Sequence, residues 1–247
     1  MLLNLTVANI STGVAAADFE AAIAAIARQV TEHFLPEWGA TANLSGIAAS
    51  RADPNAPIPG NHDAIIYLGD RSNDPTNGVD DVLGYHSTNY ALLPYGFVYL
   101  DICTKYGDKW TSTLSHEVLE LLADPTAVLS VAGSAPNGAQ GTVQYDLEVC
   151  DPTEGDTYEI DTVTVSNFVG RSYFGMVGGS GNTNYLKLDL AAFGVRPKGY
   201  LQYEDGSDTH QILGARVTKR KLAAKKLLKS GRRNERRRLR LIRAAVS

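Results

Sequence analysis

The spacing of hydrophobic residues along the chain changes period several times, and each change marks an element. MLLNLTVANI reads as an opening strand. Residues 17–34, ADFEAAIAAIARQVTEHF, repeat apolar side chains at helical spacing through Phe19, Ala22, Ile23, Ile26, Val30 and Phe34, and Pro36 is expected to stop that helix. TANLSGIAAS and AIIYLG predict two further strands around the loop RADPNAPIPGNHD, and DRSNDPTNGVDD reads as a turn-rich linker. GFVYLDIC has strand composition. TSTLSHEVLELLADP, residues 111–125, is helical, with Thr111, Ser112, Thr113 and Ser115 as N-cap candidates and an end near Asp124 set by Pro125. VLSVAGSAPNGAQG reads as a flexible loop, whereas YDLEVCDP, YEIDTVTVSNFV, YLKLDL and GYLQYED read as short strands. Helices and strands together predict an α+β class.

Charge divides the same chain into two parts. Of 247 residues, 44% hydrophobic, the last 32 (216–247) hold 14 of the 23 Lys and Arg residues and one of the 27 acids, Glu235. Residues 1–215 keep 9 bases against 26 acids, so a body near -17 is joined to a tail near +13, consistent with the net charge of -4. The expected organisation is a domain over 1–215 and a polybasic tail over 216–247. In the tail, Leu222, Leu227, Leu228, Leu239, Leu241 and Ile242 interrupt the bases, but Gly231 and dense like charge oppose a stable isolated helix. Such a tail can neutralise several phosphates without sequence preference, grip an acidic protein, fold back on the acidic body, or remain solvated. No aromatic residue interleaves its bases, which argues against stacking on single strands. The start lacks a basic n-region and a long apolar run, and no segment approaches the roughly 20 apolar residues of a membrane span. No signal peptide is expected, and a cytoplasmic or virion-associated location fits. Two cysteines are too few for a disulfide framework.

The chemistry concentrates in HExxE, His116 to Glu120. Residues four apart share a helix face, so His116 and Glu120 can address one ion while Glu117 lies roughly 100° around the axis. This is the mechanics of HExxH, with a carboxylate in place of the second imidazole. The substitution broadens the divalent metal from zinc toward manganese or calcium. Asp124 continues the stripe at i+8 as a further donor. In YDLEVCDPTEGD, Glu148, Cys150 and Asp151 lie close together, with Asp146, Glu154 and Asp156 adding acidity. If 144–150 is a strand, Glu148 and Cys150 share one face. The alternative is a core helix with two exposed acids.

LGYHSTNYALLPYGFVYLD, TLSHEVLELLADP, YDLEVCDPTEGDTYEID and VSNFVGRSYF together resemble a family of zincin-like, metallopeptidase-like proteins from phages and bacteria, over residues 80–174 or so. The resemblance implies a twisted mixed sheet, with GFVYLDIC as the edge strand bordering the cleft and holding an extended peptide, and an active-site helix beneath. It implies His116 and Glu120 as ligands, Glu117 as general base, and Glu148 with Asp151 as the remaining ligand candidates. His86 would stabilise the oxyanion or add a ligand, with a surface loop histidine as the alternative. The implied function is hydrolysis of peptide or protein substrates by metal-activated water, with the basic tail as a docking element. A second possibility is a virion-associated or structural protein of the same fold, weak or inactive, whose tail binds nucleic acid or an acidic partner. A third is a nucleic-acid-binding module whose HExxE helix is only core.

Other motifs carry less. Cys150 and Cys103 read as small buried hydrophobes. MVGGSGNTN lacks the Lys and Ser or Thr of a phosphate loop. His33 is expected to pack at a helix end, and His62 and His210 fall in polar loops.

Overall fold

A computed structural model of the chain describes residues 2–56, 62–76, 82–206 and 208–217. The tail from residue 218 onward, and with it the expectations about nucleic acid and acidic partners, lies outside the described residues.

The fold is mixed α+β with an N-terminal helix, as expected from the pattern. Among the described residues, β1 (Leu2–Asn9), β2 (Thr41–Ala48), β3 (Ala64–Gly69), β4 (Gly84–Thr88) and β5 (Pro94–Tyr99) form a five-stranded sheet in the order β2-β1-β3-β5-β4. All neighbours pair in parallel except β4, which runs antiparallel to β5. The expected edge strand is therefore misplaced by one. GFVYLDIC holds the interior strand β5 and then turns into α3 (Leu100–Tyr106), while the edge belongs to β4, the segment carrying His86. β5 is buried along most of its length, as an interior strand requires.

Helix α1 (Ala16–Arg28) does not end at Pro36. It widens into a π-helical turn over Gln29–Phe34, continues as α2 (Leu35–Trp38), and stops at Gly39 with φ 68. The wider turn places Pro36 in the first turn of α2, where a missing N–H costs nothing. Left-handed Gly39 then supplies the C-terminal cap.

Helix α4 (Trp110–Ala123) ends one residue before Asp124, as Pro125 predicts. Its N-cap is Lys109 with no side-chain cap, because the hydroxyls expected to cap it serve tertiary contacts instead. Thr111 donates to the Thr164 carbonyl at 2.7 Å, and Ser115 Oγ accepts from the Ser166 amide at 2.8 Å. Both bonds tie α4 to β9 (Val163–Ser166), which forms a hairpin with β8 (Thr157–Ile160).

The segment read as a flexible loop contributes β6 (Ser130–Ser134), which pairs with β7 (Thr142–Asp146). With β10 (Tyr200–Glu204) and β11 (Thr209–Leu213) they form a second sheet in the order β11-β10-β7-β6. Strand β7 stops at Asp146, so Glu148 and Cys150 lie in an irregular stretch and do not share a strand face. The YLKLDL segment forms no named strand.

The large sheet is covered on both faces. Leu5, Val7, Ile66, Leu68 and Val98 face a core with Ile26 of α1 and Leu114, Val118 and Leu122 of α4. The opposite face carries Ala8, Ile65, Tyr67, Phe97 and Tyr99, packed with Tyr85, Tyr95 and Ile102. Fully burying one Leu- or Ile-sized side chain stabilises by about 1.5–3 kcal/mol, so these contacts hold α4 rigidly against the strands. No helix of the described residues is long and apolar enough to cross a membrane.

Candidate metal centre

The centre lies where α4 passes beneath the edge strand and meets the stretch after β7. Glu117 and Glu120 are 5% and 3% exposed, so the alternative of a core helix with two solvent-facing acids does not hold. His116, on the same helix, places Nε2 3.2 Å from Glu120 Oε2 and 3.4 Å from Asp151 Oδ1. His86 enters from β4 and is 1% exposed. Its Nδ1 lies 3.6 Å from Glu117 Oε2 and 3.8 Å from Glu120 Oε2, and its Nε2 lies 4.0 Å from Glu148 Oε2.

Among the described residues, two groups of side chains bring their donor atoms close enough to hold a metal ion: His116, Glu120 and Asp151, and His86, Glu120 and Glu148. Glu120 belongs to both. Its orientation is fixed from behind, since Oε1 accepts the amides of Cys150 at 3.1 Å and Asp151 at 3.2 Å, leaving Oε2 toward the histidines. The stretch supplying those amides is itself held, with the Leu147 amide on the Leu129 carbonyl and the Val149 carbonyl accepting the Val169 amide at 2.7 Å.

Electrostatics follow from this packing. Burial alone would lower the pKa of His116, but Glu120, Asp151 and Glu117 outweigh it and raise the value well above 6.5. Cys150 moves the other way from a usable thiolate: burial, then the charge of Glu120, pushes its thiol well above 9.0. It belongs to neither donor group and packs in the core, as expected for a small hydrophobe.

Asp124 is not brought to the centre. Its Oδ1 accepts the amide and hydroxyl of Thr126 at 3.1 and 2.8 Å, and its Oδ2 accepts the Leu129 amide at 2.6 Å. At the end of α4 the chain turns away, and these bonds cap the turn instead of extending the helical stripe.

A cleft of about 220 Å³ opens beside the centre, lined by Gly84 from β4, His116, Glu117 and Glu120 from α4, and Glu148 and Asp151. His86 does not line it, which leaves His86 poorly placed for an oxyanion and well placed for a ligand. Two lining residues have no signal in the motif spacing. Gly84 lets Glu117 approach the strand: a Cβ there would sit 2.9 Å from Glu117 Oε1 and 2.8 Å from the Phe97 carbonyl. Tyr200, at the start of β10, hydrogen-bonds Asp151, and burial together with the charges of Asp151, Glu154 and Glu120 holds its phenol well above 10.0. Its strand composition marks β10 in the sequence, but nothing ties it to HExxE. Of the other histidines, His33 stacks on Tyr185 at 4.6 Å and His210 on Tyr203 at 5.0 Å, both away from the cleft. No family model, curated protein or solved structure matches this chain.

Proposed function

We propose that the protein is a metal-dependent peptidase of the zincin-like type, with His116, Glu120 and Asp151 as ligands and Glu117 as general base. The observation that carries this reading is Glu117, a buried carboxylate that lines the same cleft as His116, Glu120 and Asp151 and whose Oε2, 3.6 Å from His86 Nδ1, accepts no hydrogen bond. The donor chemistry fits a divalent cation, because one imidazole and two carboxylates converge and Glu120 is already oriented by two amides. One imidazole with oxygen donors favours zinc and admits manganese or calcium. A bound ion would lower the pKa of a water and polarise a substrate carbonyl.

The chain's own groups supply the rest. Glu117 takes a proton from the attacking water and passes it to the leaving amine. Tyr200, kept as a neutral phenol, donates its one proton to Asp151 and so orients that ligand. At the sheet edge, the Leu83 carbonyl accepts the Tyr99 amide, so the alternation of an antiparallel pair turns the backbone groups of Gly84, His86 and Thr88 away from β5. An extended peptide can add there as a further strand, which favours peptide over other amide or ester substrates.

The test is metal content by inductively coupled plasma mass spectrometry, paired with a peptide-library digest. Zinc or manganese in the wild type, reduced in His116→Ala and lost in Glu120→Ala, with cleavage lost in Glu117→Gln while metal is retained, is the expected result. A metal-free wild type after supplementation overturns the reading.

The charge division of the sequence supports a second role, in which the 216–247 tail binds nucleic acid or an acidic protein partner. Binding of DNA that weakens steeply with salt and disappears on removal of residues 218–247 is the outcome expected of it.

A further inference from the structure

We infer that the centre is built for two divalent ions bridged by Glu120: one held by His116 and Asp151, the other by His86 and Glu148. This rests on the metal-centre reading above and extends it, because a single-ion peptidase site has no use for the second group.

Three observations lead to it. Glu120 Oε2 is within reach of both imidazoles, 3.2 Å from His116 Nε2 and 3.8 Å from His86 Nδ1, and the two histidines fall in separate donor groups. Four carboxylates, Glu117, Glu120, Glu148 and Asp151, are each no more than 5% exposed around those two histidines. As metal ligands the histidines must be neutral, and the charge of four ionised carboxylates matches that of two divalent ions. Finally, Glu117 Oε2 is buried, accepts no hydrogen bond, and points to within 3.6 Å of His86 Nδ1, toward the second group. A carboxylate oxygen left without a donor in so anionic a place is poised for a water held by a cation. Two-metal sites use a shared carboxylate in this way to set their ions about 3.5–4 Å apart and to hold both the attacking and the departing oxygen.

Equilibrium dialysis of the full chain against Zn²⁺, and separately against Mn²⁺, with metal counted by mass spectrometry, tests the inference. About two ions per chain are expected at saturation. His86→Gln and Glu148→Gln should each reduce the count to one, His116→Gln should do the same, and Glu120→Ala should abolish tight binding of both. Electron paramagnetic resonance of the Mn²⁺ form adds a readout independent of activity. A broad, exchange-coupled signal is expected from the wild type and the six-line spectrum of an isolated ion from His86→Gln. Should His86→Gln fail to fold, the nearly isosteric Glu148→Gln and the wild-type spectrum decide alone. One ion per chain, unchanged by Glu148→Gln and without coupling, overturns the second site and leaves the single-ion peptidase reading intact. No bound ion at all overturns both.

Discussion

Tyr85 and His86 are neighbours on β4, yet they serve two buried carboxylate clusters of opposite character. Tyr85 points to the face of the sheet where Asp74 is buried. There Asp74 Oδ1 accepts the amide and hydroxyl of Thr76 at 2.8 and 2.7 Å, and Oδ2 accepts Tyr85 at 2.9 Å and Tyr99 at 2.6 Å. Every oxygen faces a neutral donor. His86 points to the other face, where its ring nitrogens lie 3.6 to 4.0 Å from carboxylate oxygens of Glu117, Glu120 and Glu148. Donors satisfy a buried carboxylate and make it structural, whereas acids crowded around imidazoles call for a cation. Burial alone does not separate the two clusters, since Asp74 is 6% exposed and Glu117 5%. The identity of the facing groups does.

The largest expected effect is on Glu117. Glu117→Gln keeps its shape, removes the proposed base, and should lower peptide hydrolysis by about 10²- to 10⁴-fold with metal content unchanged. On the other face, Asp74→Ala leaves the Tyr85 and Tyr99 hydroxyls without their acceptor and should cost about 3 kcal/mol in a urea melt, again without changing metal content. A loss of metal in Asp74→Ala would erase the distinction between the faces. Gly84→Ala forces a methyl against Glu117 and the β5 backbone. It should cost about 1–3 kcal/mol in stability and reduce turnover, read by a urea melt and the peptide digest.

The smallest effect is a pH dependence of the metal-free protein. The folded pKa of His116 is raised above 6.5, by carboxylates that outweigh its burial, so folding strengthens proton binding. That stabilisation is complete below the unfolded value and is lost as pH rises through the folded one. Urea melts of metal-stripped protein should therefore show stability falling above about pH 6.5, and His116→Gln should flatten the slope. An unaltered slope would assign the dependence to another group.

Local patterns made part of this legible. The pairing of His116 with Glu120 follows from helical spacing, and Pro125 marks where α4 ends. Glu148 and Asp151 stood out because acids cluster around a short apolar stretch. What local pattern lacks is partner information. GFVYLDIC has strand composition while the GYHST segment of β4 carries no strand reading, and only sheet order decides that β4 is the edge. Asp124 continues a helical stripe in the sequence, but the chain leaves the helix there and the carboxylate turns to the amide of Leu129. Pro36 reads as a stop because the π turn that accommodates it has no sequence mark. The hairpin through Ser130–Ser134 is hidden by the glycine-rich composition of its turn. Tyr200 reaches the centre from a strand some fifty residues beyond Asp151, which no spacing rule encodes.

The two amides that fix Glu120 come from the backbone of Cys150 and Asp151, so no side-chain replacement at either position, short of proline, removes them. On the proposed two-ion reading, residue 151 is thus free to exchange one ligand type for another while the Glu120 carboxylate stays in place. The preference among metals can drift without dismantling the centre.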